Sequence, residues 1–260
     1  MTHITNKFKY SYITPHYILG TQFDHPYMLH SHLSPGKRWN GLILDSSPDA
    51  YIFPTVFVGN DGEIKPVGGM YQSVQHKNVL LCKHNRSYFQ VNPEWYPDIV
   101  PEKNMSYGIH LGRGYDVKEY DGWYILSDEY TYVAFRPAYG GAVWENERSL
   151  VFDDMTAPAV IHTESKERFK NEEEFAAYLK NECSLKVNNT VTPGYYTIDY
   201  SFDGNNLYLN AANNEPPRVN GKIVDYEYPY TFKSPYMISE YGSGVITVKK
   251  GKLERVFDFS

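Results

Sequence analysis

The 260-residue sequence is 42% hydrophobic and 22% charged, which supplies enough apolar side chains for a core and excludes a disordered chain. Its net charge of −6 argues against nucleic acid as a partner, because phosphate recognition needs clustered Lys and Arg, and Lys249-Lys250-Gly251-Lys252 is too short a run. No stretch approaches the ~18 apolar residues of a membrane span, so no membrane association is expected. The polar start Met1 to Lys7 lacks a signal-peptide core, so a cytoplasmic chain is expected. All-β sandwiches of roughly 200–250 residues are ordinary single domains, and one β-sandwich domain over residues 1–260 is the expected organisation.

In chain order, short apolar runs alternate with turn chemistry. Gly41-Leu42-Ile43-Leu44 and Ala50-Tyr51-Ile52-Phe53 flank the turn cluster Asp45-Ser46-Ser47-Pro48-Asp49, and Thr55 to Val58 meets Gly59-Asn60-Asp61-Gly62. Val79 to Lys83, Gly108 to Leu111, Trp123 to Leu126 and Thr131 to Phe135 continue the series at sandwich-like spacing. One helix is predicted from Asn171 to about Cys183, with Asn171 as N-cap, three Glu residues on the positive end and Phe175, Tyr178 and Leu179 on one face. Tyr195 to Tyr200 and Asn206 to Asn210 then form a hairpin around Phe202-Asp203-Gly204-Asn205, and Gly244 to Val248 turns at Lys250-Gly251-Lys252 into Leu253 to Phe259. The fold class is therefore all-β, a large two-sheet antiparallel sandwich with one short helix. Its 25 Tyr, 13 Phe and 4 Trp favour strands and also surfaces on which sugar rings stack.

Several segments resemble, in order, the carboxy-terminal β-sandwich region of heparinase-like (heparinase II/III-type) proteins. They are Lys37 to Ile43 followed by Ala50 to Pro54, Tyr71 to Lys77, Tyr132 to Arg136, Pro158 to Ile161, and Ser234-Pro235-Tyr236 with Gly242 to Val245. The resemblance spans nearly the whole chain and implies a sandwich related to a lyase. In that family an α/α toroid supplies much of the active site, and these 260 residues contain no such toroid. The histidine-rich segment His25 to His32 is a second departure from the family pattern.

An elimination on a uronic acid needs a cation for the carboxylate, a His or Tyr base for the C5 proton and an acid for the leaving oxygen. His110, Arg113 and Tyr115 offer these types within six residues, with Gly108 and Gly112 expected to leave open space beside His110; a turn at Gly112-Arg113-Gly114 is the alternative. His76 and Arg136 join them as expected catalytic groups. Arg38, Trp39, Arg113, Trp144 and Tyr236 are the expected substrate contacts, through guanidinium and aromatic stacking; Arg136 reads equally as half of a buried structural ion pair, and for Arg38-Trp39 packing of the Arg stem on the indole is the favoured alternative. His30-x-His32 puts two imidazoles on one side of a strand, a partial metal set that His25 could extend; no other cofactor is required.

Other chemistries lack their signatures. Cys82 and Cys183 are far apart, Ser243 is not in a nucleophile-elbow frame, and neither a Walker loop nor a Rossmann fingerprint occurs. The expected function is a lyase-like acid–base elimination on an acidic saccharide or related small molecule. The alternatives are a non-catalytic carbohydrate-binding or interaction module, and an intracellular biosynthetic lyase or cyclase. A small-molecule or oligosaccharide ligand is the expected partner in each case.

Overall fold

A computed structural model describes residues 7–24, 40–60, 63–66, 71–84, 105–189, 195–213, 215–224, 231–240 and 242–260. They fall into two compact units, residues 1–224 and residues 225–260. The described residues are mostly β, in several antiparallel sheets with one helix, as the alternating sequence pattern leads one to expect.

The described residues of the first unit form three sheets. An eight-stranded sheet contains β1 (Lys7–Ile13), β2 (Tyr17–Asp24), β3 (Gly41–Leu44), β4 (Tyr51–Asn60), β5 (Glu63–Pro66), β8 (Met105–Leu111), β12 (Ala142–Asn146) and β13 (Ser149–Phe152). Its order is β1-β2-β3-β4-β8-β13-β12, with β5 on the β3 side of β4. A six-stranded sheet follows the order β6 (Tyr71–His76), β7 (Val79–His84), β14 (Ala159–Ser165), β11 (Thr131–Pro137), β10 (Trp123–Ser127) and β9 (Val117–Tyr120). The third sheet runs β15 (Ser184–Asn189), β16 (Tyr196–Phe202), β17 (Asn205–Asn210), β18 (Arg218–Val219) and β19 (Lys222–Ile223).

Two cores explain the layering. Leu19, Leu42, Ile52, Tyr107 and Ile109 of the first sheet pack against Leu80, Cys82, Phe135 and Ile161 of the second. On the other face of the second sheet, Val79, Leu81, Ala134 and Val160 pack with Phe175, Tyr178, Ile198, Tyr200 and Leu207. The six-stranded sheet is thus covered on both faces, which is why β7 is buried at every position and reads Val-Leu-Leu-Cys without polar alternation. Strands with one wet face alternate instead, as β16 does.

Polar crossbars join the layers inside these cores. Tyr107 Oη of β8 donates to Cys82 O of β7 at 2.8 Å, and Gln75 Nε2 of β6 donates to Leu19 O of β2 at 2.8 Å. Each satisfies a buried polar group whose isolation would cost about 1–3 kcal/mol. The helix α1 (Glu172–Asn181) begins where Asn171 Oδ1 accepts from Glu174 N at 2.8 Å, with Glu172, Glu173 and Glu174 in its first turn. Its Phe175, Tyr178 and Leu179 are buried in the second core, on the face that their spacing predicts.

The second unit is a four-stranded antiparallel sheet in the order β20 (Thr231–Lys233), β21 (Met237–Glu240), β22 (Val245–Lys250) and β23 (Leu253–Asp258). The β22–β23 hairpin pairs Lys250 with Leu253 around Gly251 and Lys252, at the turn its sequence announces.

One buried cation clips the second and third sheets together. Lys83 of β7 is 3% exposed, and its Nζ donates to the carbonyls of Asn210 (2.7 Å), Ala211 (3.4 Å) and Asn213. Burial draws the amine pKa down to about 7. Between that value and the ~10.4 of an unfolded lysine, the unfolded chain binds a proton that the folded chain has released. Stability is therefore expected to rise as pH increases from about 7 to about 10, and Lys83→Met to flatten that rise. Urea melts at three pH values across the window measure it; parallel curves for the two proteins would reject the assignment.

Candidate functional site

Five chain connections meet at one end of the first unit. They are the β1–β2 turn (Thr14 to His16), the β6–β7 turn (Lys77 and Asn78), the β10–β11 turn at Tyr130, the segment Glu164 to Arg168 that leaves β14, and the β16–β17 turn at Asp203. Between them lies a cleft of about 620 Å³, within the usual range of small-molecule sites. The local chemistry fixes each wall. Thr14 Oγ1 accepts from His16 N and Tyr17 N, closing the first turn. Asp203 and Gly204 both have positive φ (44° and 72°), the conformation of a two-residue hairpin turn that follows strand twist. Asn78 Nδ2 donates to Thr163 O (2.7 Å) and to Glu164 Oε1 (2.9 Å), tying the second turn to β14.

The cleft wall is backed by a chain of hydrogen-bonded side chains. His162 is fully buried between Glu164 and Tyr200: Nε2 lies 3.2 Å from Glu164 Oε1 and Nδ1 lies 2.8 Å from the Tyr200 hydroxyl. With the ring proton on Nε2 facing the carboxylate, Nδ1 accepts from Tyr200. Arg168 NH1 donates to Glu164 Oε1 at 2.7 Å, and its two terminal nitrogens bind both oxygens of Asp203 at 2.8 Å each. Tyr178 Oη donates to Asp203 Oδ1 at 2.9 Å, and the Arg168 guanidinium stacks 4.4 Å from the Tyr178 ring centre. The Arg168 hydrogen bonds hold the Asp203 carboxyl below its ordinary value, and Asp203 in turn raises the pKa of Arg168. Burial pushes the Tyr17 phenol up to about 12.

Aromatic rings supply the rest of the surface. His16 stacks on Tyr130 with centroids 4.1 Å apart and planes 24° from parallel, and His16 Nδ1 lies 3.3 Å from Asp45 Oδ2. Tyr12 and Tyr17 line the same cleft, with ring centroids 6.1 Å apart.

Of the residues singled out from sequence, those that the structure describes do not line this cleft. His110 is 8% exposed on the outer face of the eight-stranded sheet, against Tyr51 and Phe57, with Arg148 NH2 3.4 Å from its Nε2. Burial first, and the Arg148 charge second, lower its pKa. The space expected beside it is filled. A Cβ at Gly108 would lie 2.0 Å from Leu150 O and one at Gly112 2.1 Å from Asp49 O, so these glycines serve close backbone approach rather than a groove. Arg113 turns to Asp128 (2.8 Å), Ser46 and Ser47, which engage it in a structural cluster, with its guanidinium 4.7 Å from the Tyr115 ring centre.

His76 is on β6, with its ring 6.4 Å from Phe202 in the second core, and its pKa is lowered chiefly by burial. His110 and His76 are thus on different faces of different sheets. Arg136 lies over Trp123 at 5.5 Å and donates to Pro137 O. Trp144 instead packs on Tyr124 and Phe135 at the first core, because Phe135 and Arg136 alternate across β11. Tyr236, 66% exposed, belongs to the second unit. His30, His32, Arg38 and Trp39 lie outside the described residues. Among the described residues no group of three His, Cys, Asp or Glu is placed to hold a metal ion, and no helix is long and apolar enough to cross a membrane.

Sequence reasoning missed His16, Glu164, Arg168 and Asp203. The only local signal was at Asp203, whose Asp-Gly pair marks a hairpin; the others become neighbours through strand pairing. No protein family, curated protein or solved structure matches this chain. The likeness to the heparinase-like sandwich accordingly has no support beyond the ordered segments that carry it.

The Arg168–Asp203 pair has a pH signature. With its folded pKa depressed, Asp203 contributes stability above the ordinary carboxyl value of about 4, and that contribution is lost as pH falls through the folded value. Asp203→Asn is expected to lower the melting temperature at about pH 6 and to cost much less at about pH 2. Thermal melts read by circular dichroism test this, and a deficit of the same size at both pH values would contradict it.

Proposed function

We propose that the end cleft binds a small polyhydroxylated ring, a saccharide in the first instance, and that the chain is a ligand-binding module. The observation that carries this reading is the half-exposed His16–Tyr130 stack set beside fixed polar groups in a cleft of about 620 Å³. Apolar ring faces and oriented hydrogen-bonding groups are what a sugar presents and what it needs. The residues that fix those groups, Asn78, Arg168 and Thr14, are themselves held by hydrogen bonds, so little ordering entropy remains to be lost on binding.

Elimination on an acidic saccharide is the second reading. Its favouring observation is that the cleft brings an imidazole (His16), a phenol (Tyr17) and a guanidinium (Arg168) to one place, the group types such a reaction requires. Two facts weigh against it: Arg168 is engaged by two carboxylates, and Tyr17, with a pKa near 12, keeps its proton at neutral pH. Incubation with uronate oligosaccharides, followed by the ultraviolet absorbance of the unsaturated product, separates the two readings.

For the binding reading, Tyr130→Ala is the direct test, since Tyr130 is 45% exposed and its removal leaves the cores intact. Loss of an aromatic platform worth about 0.5–1.5 kcal/mol is expected to weaken saccharide binding about three- to tenfold with an unchanged melting temperature. Titration calorimetry against neutral oligosaccharides measures it, and equal affinities would remove the stack from the site.

A further inference from the structure

We propose that Glu164 is the specificity-determining residue of this cleft and that it selects a neutral, hydroxyl-bearing ring over an acidic one; this rests on the saccharide reading above. Glu164 ends the buried run of β14, and its side chain is 8% exposed. Three donors converge on a single oxygen: Asn78 Nδ2 at 2.9 Å, His162 Nε2 at 3.2 Å and Arg168 NH1 at 2.7 Å all reach Oε1. Among the described residues no donor reaches Oε2. A carboxylate offers about four acceptor directions, and one whose first oxygen is saturated presents the second in a fixed place with its acceptor capacity unused. Glu164 lines the cleft, where a ligand hydroxyl can complete it.

The kind of ligand follows from charge. The lining carries Lys77, Lys166 and Arg168 against Glu164, Glu167 and Asp203, which leaves no net positive charge to draw an acidic ring inward. Arg168, the cation nearest the buried carboxylate, is taken by Glu164 and Asp203. A ring carboxylate or sulfate set against Oε2 would place two anions together in a site with little water, a costly arrangement. A hydroxyl donating to Oε2 makes a charge-assisted hydrogen bond instead. Lys77 and Lys166 have no ion-pair partner among the described residues, and an ammonium donates to sugar oxygens that act as acceptors. His162, Arg168 and Asn78 orient the Glu164 carboxylate and are positioning residues for it.

The test uses the full chain and a panel of neutral gluco-, manno-, galacto- and xylo-oligosaccharides beside uronate oligosaccharides, read by calorimetry and saturation-transfer NMR. Glu164→Gln keeps an acceptor oxygen for the three donors while turning the cleft-facing atom from acceptor to donor. Neutral oligosaccharide binding is expected to weaken about tenfold or more in this variant, the usual worth of a hydrogen bond to a charged group. Removing one hydroxyl of the ligand, in a monodeoxy series, is expected to weaken wild-type binding by a similar factor and to change little further in Glu164→Gln. Unchanged affinity in Glu164→Gln, or tighter binding of uronate than of neutral oligosaccharides, overturns the assignment of Glu164. The saccharide reading survives that result if Tyr130→Ala still weakens binding. No binding by either class overturns both. Should Glu164→Gln not fold, the deoxy series on the wild-type chain decides: affinity indifferent to every hydroxyl overturns the proposal.

Discussion

Burial of both faces of the six-stranded sheet is the constraint on which the first unit depends. A sheet with one apolar face needs one partner; β7, β11 and β14 are buried on both faces, and a second layer must cover what the eight-stranded sheet leaves bare. The helix and the third sheet supply it, with Phe175, Tyr178, Ile198 and Tyr200 against Val160 and Ala134. At about 25 cal/mol per Å² of apolar surface removed from water, these two interfaces are the main favourable term of the fold. The polar crossbars from Tyr107 and Gln75 fix how the layers register.

The cleft is a consequence of that layering. Antiparallel pairing brings the β1–β2, β6–β7, β10–β11 and β16–β17 turns, one or more from each of the three sheets, to the end where β14 also finishes. Because β14 is central and buried on both faces, the polar residues at its end inherit buried surroundings. His162 is fully enclosed and Glu164 nearly so; His162 is bonded to Tyr200 of the third sheet, and Glu164 Oε1 accepts from Asn78 in the β6–β7 turn of the same sheet and from Arg168 in the segment after β14. A buried charge left unpaired there would be strongly destabilising, so the network is required for folding as well as available for recognition. Arg168 holds the arrangement by joining a carboxylate of the central sheet to one at a hairpin tip of the third.

Local signals in the sequence were legible where the physics is local. The Asn171 cap and the acidic first turn mark the helix to within two residues of its end, and Asp203-Gly204 and Gly251-Lys252 mark hairpins, because capping and turn conformations are set by a few neighbouring residues. Strand positions followed from apolar runs. The Gly112-Arg113-Gly114 segment is the turn that its glycines suggest, and Arg113 is drawn into an ion pair with Asp128 rather than toward a substrate.

By itself the sequence determined the fold class, the helix, the hairpin turns and the dominance of tyrosine. Tertiary structure alone decided which charged and aromatic residues meet: His110 lies on the outer face of the eight-stranded sheet, His76 and Arg136 on separate strands facing the second core and Trp144 at the first core, while His16, Tyr130, Glu164, Arg168 and Asp203 converge. The reason is geometric. A strand fixes only alternation, and contacts between residues 85 and 86 positions apart, those of Asn78 with Thr163 and Glu164, fix neighbours that no local pattern encodes.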